Sequence, residues 1–163
     1  MAQIPTELFN EMLPRATAWA ATQEKSMRGH RESRILVPQA QDIARRAGVV
    51  RPEDVRILAV PAIPLPEEVD LRQAAQAFGL ITPRTGGLTI GHGILVRQDC
   101  LNDAKLIAHE LMHVAQYERL GSILAFLQRY LWECNEVGYP AAPMEQEAIA
   151  FAESVFPASK CLG

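Results

Sequence analysis

A chain of 163 residues, 48% hydrophobic and 21% charged, has enough apolar mass for one domain with a sizeable core. Its net charge of −3, without any Lys/Arg run, lacks the electrostatic footprint of a nucleic-acid or anionic-membrane partner, and no apolar stretch is long enough to span a bilayer. Cys100, Cys134 and Cys161 are odd in number, widely separated and free of any C-x-x-C pair, so they are expected to be free thiols; with an N-terminus that does not read as a secretory signal, the expectation is a cytoplasmic protein.

Residues 6–28 are predicted to be a helix, because Leu8, Met12, Ala16, Trp19 and Ala20 recur at helical spacing and Gly29 offers a stop; Pro14 predicts a kink or a late start. The charged run 28–35 is predicted to be a loop, with His30 solvated. A short helix follows Pro38 and is closed by Gly48. Residues 55–60 are β-branched and apolar, which predicts a strand ended by the prolines at 61, 64 and 66. Pro66, with Glu67 and Glu68 beside it, is predicted to open a helix that ends at Gly79.

Residues 88–97 are predicted to be one strand, entered through the Gly86-Gly87 turn, with Gly91 and Gly93 on either side of His92. Glycines inside a strand mark a bulge or a close approach by other backbone, and a substrate peptide pairing with an exposed edge would be such an approach. His92 then either points into a cleft or is a plain surface residue on a bulge.

Asn102 is the expected N-cap of a helix over 103–120, closed by Gly121. Ile107, Leu111 and Val114, flanked by Ala104, Ala108 and Ala115, share its apolar face. His109 and His113 lie opposite, with Leu106, Gln116 and Leu120, so the helix should be buried all round, with the core behind and a partly polar cleft in front. His109, Glu110 and His113 spell H-E-x-x-H. Residues four apart on a helix sit one above the other, so both imidazoles can reach one Zn²⁺ while Glu110 stands beside the open coordination position. The metal would acidify a water and Glu110 would take its proton. A third ligand must come from elsewhere.

Ser122 is expected to cap the next helix, whose stripe is Leu124, Leu127, Tyr130, Leu131 and Cys134, and 135–143 is predicted to be a loop. The last helix runs from Met144 to Phe156. On it Glu145 shares the apolar face of Ala148, Ile149, Ala152, Val155 and Phe156, whereas Glu147 falls opposite with Ala150 and Ser154. A carboxylate on an apolar face must be paired or bound to a metal. Glu145 is therefore either the third ligand or a partner for the first amides of its own helix.

These residues resemble the gluzincin branch of zinc metallopeptidases, in which H-E-x-x-H is completed by a Glu from a later helix. Glu145-Gln-Glu-Ala148 is similar to the E-x-x-A form of the third-ligand segment, which implies Glu145 rather than Glu147 as the ligand. The run from His109 to Gly121 resembles small bacterial zincin-like domains. The resemblance, over residues 88–156, implies an α+β, zincin-like fold, mostly helical. Its small sheet would have an edge strand, about 88–97, bordering the active-site helix, about 103–120, within a single domain of residues 1–163. Many gluzincins carry an acid four residues after the ligand Glu, where this chain has Ile149, and Arg119 stands where a third metzincin histidine would fall. The activity implied is zinc-dependent hydrolysis of a peptide or protein substrate, with Tyr139, and after it His92, as candidate donors to the oxyanion. The rival reading is a non-catalytic zincin-like module in which zinc staples helices for assembly with a protein partner. Glu110 separates the two, because a structural site has no use for an acid beside an open position.

Overall fold

A four-stranded mixed sheet divides the chain into two helical layers. The computed structural model describes residues 3–157. The strands are β1 (Arg34–Ile35), β2 (Arg56–Val60), β3 (Gly87–Ile90) and β4 (Gly93–Arg97), in the order β1-β2-β4-β3; β2 and β4 are parallel and the outer pairs antiparallel. Ile57, Ala59, Ile94 and Val96 alternate with Leu58, Val60 and Leu95, so the two sets point to opposite faces. The first face packs on α2 (Pro38–Ala47) and α4 (Ala104–Leu120), with Ala44, Leu111 and Val114 in its core. The second packs on α1 (Thr6–Arg28) and α3 (Val69–Ala77), through Met27 and Ala75. Two further helices, α5 (Ile123–Val137) and α6 (Pro143–Val155), complete an α+β fold that is about 60% helical.

The predicted strand at 88–97 is in fact a hairpin. Ile90 pairs with Gly93, and Gly91-His92 forms a two-residue turn in which Gly91 adopts φ +62°, the left-handed conformation that glycine takes without steric cost. Both arms are rich in strand-forming residues, which is why they read as a single strand. The sheet edge beside α4 is therefore β3 alone.

Other boundaries moved for physical reasons. The charged run expected to be a loop contributes β1, two residues paired to β2. Helix α3 starts at Val69, three residues beyond Pro66. Helix α5 continues through Asn135, whose side chain accepts the Ile4 N–H at 2.7 Å and donates to the Ile4 carbonyl at 3.0 Å, clasping the N-terminal segment to this helix end. Among the described residues, no helix is long and apolar enough to cross a membrane. Cys134 is a free, buried thiol, but Cys100 is disulfide-bonded, so the expectation of three free thiols is corrected there; Cys161 lies outside the described residues.

Candidate metal centre

Helix α4 is capped by Asp103, one residue after the expected cap, whose side chain accepts the Leu106 N–H at 3.1 Å; it is closed by Gly121 in the left-handed conformation, φ +90°. Every residue from Ala108 to Gln116 is buried. Two imidazoles and a carboxylic acid so placed must find polar partners, since leaving them unpaired would cost several kcal/mol. The packing of α6 across α4 supplies one. Glu145, in the first turn of α6, places Oε1 3.0 Å from His109 Nε2 and Oε2 3.2 Å from His113 Nε2, and the two Nε2 atoms are 3.2 Å apart. Glu145 is only 2% exposed. It is not needed at the start of its own helix, where Glu133 Oε2 accepts the Met144 N–H at 2.8 Å.

These three side chains fit a metal ion. Donors held tetrahedrally at zinc bond lengths of about 2.0–2.1 Å lie about 3.3 Å apart, close to the separations found here. The ring orientation of His113 is fixed as well: Gln116 donates through Nε2 to the Met144 carbonyl (2.8 Å) and to Glu147 Oε2 (2.7 Å), which leaves its Oε1 to accept from His113 Nδ1 at 2.8 Å. A neutral His113 therefore carries its lone pair on Nε2, aimed at the Glu145 carboxylate and at His109. Only a cation relieves that arrangement, either a proton or a metal. The electrostatics agree. Burial pushes the Glu145 carboxyl up, but hydrogen bonds from His109 and His113 and their charge outweigh it and hold it well below the usual carboxylate range. Burial opposes the charging of His113, yet Glu145, Glu110 and Gln116 raise it on balance.

Glu147 does not enter the centre. It accepts from Gln116 and takes two N–H donors from Arg119, at 2.9 and 2.7 Å, so it steadies the amide that steadies His113. Tyr130, read from the sequence only as part of an apolar stripe, donates its hydroxyl to Glu145 Oε2 at 2.9 Å; burial and the Glu145 charge push that hydroxyl well above its ordinary range, so it stays a donor. Its ring stacks on Phe126 and meets His113 edge-on.

Glu110 stands outside the three-ligand group. Its carboxylate lies against the edge strand, where Oε2 accepts from Thr89 Oγ1 at 2.7 Å. Tyr139 faces the same space, which it lines together with Glu110, His113 and Glu145, and burial followed by the Glu145 and Glu110 charges holds its phenol protonated. His92 is not brought there. Its Nε2 meets Glu118 Oε1 at 2.8 Å near the far end of α4 and its ring packs edge-on to Tyr117, because the turn at Gly91 carries it past the edge.

The space in front of Glu110 is a chamber of about 170 Å³. Its walls come from the other side of the sheet edge: Leu13, Ala16 and Trp19 of α1, Ala74 of α3, and Phe126 and Leu127 of α5. A cavity of about 150 Å³ with such walls takes a benzene ring. Of the residues that matter here, Gln116 is placed by helical spacing on the histidine face but not marked as a partner of His113, Glu133 carries no sequence signal beyond polarity, and Thr89 and Gly87 are legible only once the hairpin is known. No family model matches the chain, and no curated protein or solved structure matches it either, so the site stands on its own geometry.

Proposed function

We propose that this chain is a zinc-dependent hydrolase of peptide bonds, of zincin-like architecture and gluzincin type, acting on a peptide or protein substrate. The observation that carries the reading is Glu110: a buried carboxylate next to the ligand group, outside it, and facing a chamber large enough for one substrate side chain. His109, His113 and Glu145 would hold the metal, with Tyr130 and Gln116 keeping two of the three in position. A bound zinc would supply Lewis acidity and a water acidified toward neutral pH. Glu110 takes the proton of the attacking water and passes it to the leaving amine. Tyr139, whose side chain engages Glu145, would turn to a carbonyl oxygen as charge grows on it.

The deep burial of the ligands, 2% to 7% exposed, favours the second reading, a non-catalytic zinc module; Glu110 and the chamber favour the enzyme.

The test is cleavage of a peptide library by wild type, Glu110→Gln and His113→Ala, with zinc measured in each. Glu110→Gln should keep its zinc and lose at least ~10²-fold in rate, as expected for a lost general base, whereas His113→Ala should lose metal and activity together. A wild type that holds zinc and cleaves nothing across varied peptides and pH would establish the structural module instead.

A further inference from the structure

We propose that Gly87 and Thr89, on the edge strand β3, are positioning residues that aim the Glu110 carboxylate; the inference rests on the hydrolase reading above. Both residues point to the same face of the sheet, since Gly87 pairs with Val96 and Thr89 with Ile94, and Val96 and Ile94 face α4. The strand thus presents a hydroxyl and, two residues away, a bare Cα to the same side chain of α4.

Each does a separate job. Thr89 Oγ1 lies 2.7 Å from Glu110 Oε2 and 3.1 Å from the Glu110 carbonyl oxygen. A hydroxyl has one proton to give, and the nearer, charged acceptor takes it. That fixes one carboxylate oxygen and leaves Oε1 as the atom that can receive a proton. Gly87 makes room for Oε1. A Cβ at position 87 would stand 2.6 Å from Glu110 Oε1, 2.9 Å from Cδ and 3.0 Å from Cγ. Gly87 is not among the glycines with positive φ, so the backbone does not demand glycine here; the carboxylate does. A glutamate has three rotatable bonds, and a base displaced by about 1 Å loses much of its effect. The strand removes that freedom.

Thr89 could also serve only to satisfy a buried carboxylate, in which case its loss would lower stability and leave the chemistry of the remaining folded protein intact. The experiment separates the two. Zinc-loaded Thr89→Val, Thr89→Ser, Gly87→Ala, Glu110→Gln and the double variant Thr89→Val/Glu110→Gln are assayed on the quenched-fluorescence peptides that wild type cleaves best, with zinc content measured in each. Thr89→Val should lower kcat by about 10- to 100-fold with KM changed by less than about twofold, and Gly87→Ala should do the same. Thr89→Ser, which keeps the hydroxyl, should restore kcat to within about threefold of wild type. Adding Thr89→Val to Glu110→Gln should cost nothing further, because the threonine acts through the carboxylate. The proposal is overturned if Thr89→Val stays within about twofold of wild type, or if its effect multiplies in full with that of Glu110→Gln. If wild type holds zinc but cleaves no peptide, the hydrolase reading fails, and crystal structures of Thr89→Val and Gly87→Ala decide the positioning: a Glu110 carboxylate that swings away from β3 supports it, and one that stays in place overturns it.

Discussion

Glu145, Gln116 and Glu147 form a graded series, one step, two steps and three steps from the proposed metal, and their substitution should weaken zinc binding in that order. Glu145 offers an oxygen to each histidine, at 3.0 and 3.2 Å, and is a ligand itself. A zinc held by four protein ligands binds with about 10–16 kcal/mol, or about 2.5–4 kcal/mol per ligand. At about 1.4 kcal/mol per tenfold, Glu145→Gln should therefore weaken binding by about 10²–10³-fold. Of the three proposed ligands Gln116 hydrogen-bonds His113 alone, and removing such an orienting partner costs about 10–100-fold, which is the expectation for Gln116→Leu. Glu147 touches Gln116, whose amide keeps a second acceptor in the Met144 carbonyl, so Glu147→Gln should fall below about tenfold. Zinc affinity is measured by competition against a chromophoric chelator at neutral pH, with circular dichroism showing that each apoprotein is folded. Equal effects of Glu145→Gln and Glu147→Gln, or a larger effect of the second, would refute the ligand assignment.

Two predictions concern the frame around the site. Asp103→Ala removes the cap of α4 and should cost about 1 kcal/mol, lowering Tm by about 2–4 °C in thermal unfolding; an unchanged Tm would show that the 3.1 Å bond to Leu106 contributes nothing. Glu118 titrates with a definite sign: burial pushes its carboxyl up, but hydrogen bonds from His92 and from the Val50 and Arg51 amides outweigh this and hold it below 4.5. Its stabilising contribution is full above that ordinary value and is lost as pH falls through the lower folded one. Tm measured from pH 7 down to pH 3 should accordingly fall more steeply in wild type than in Glu118→Gln, and parallel curves would dismiss the effect.

What could be read from the chain depended on how much of each feature was local. The α4 helix was legible because its apolar face, histidine spacing and closing glycine all lie within twenty residues, and the inward aim of Glu145 followed from helical spacing on α6 alone. The hairpin was not, since Leu88–Ile90 and Ile94–Val96 are both strand-like and the glycines around His92 read equally as a bulge in one strand. The β1 strand is exposed and two residues long, created by its pairing with β2 rather than by its own composition. Asn135 looks like a loop residue until Ile4, 131 positions away, is seen to complete its hydrogen bonds. Tyr130 repeats at the spacing of an ordinary packing residue, and only the arrival of α6 gives its hydroxyl a partner.

The chamber takes much of its apolar wall from α1, α3 and α5, while the proposed ligands and base belong to α4 and α6. Reactivity and selectivity are thus written in different stretches of the chain. Enlarging Ala16 or Ala74, or trimming Trp19, would recut the room available to a guest while leaving His109, His113 and Glu145 untouched, so the two properties can drift, or be engineered, independently.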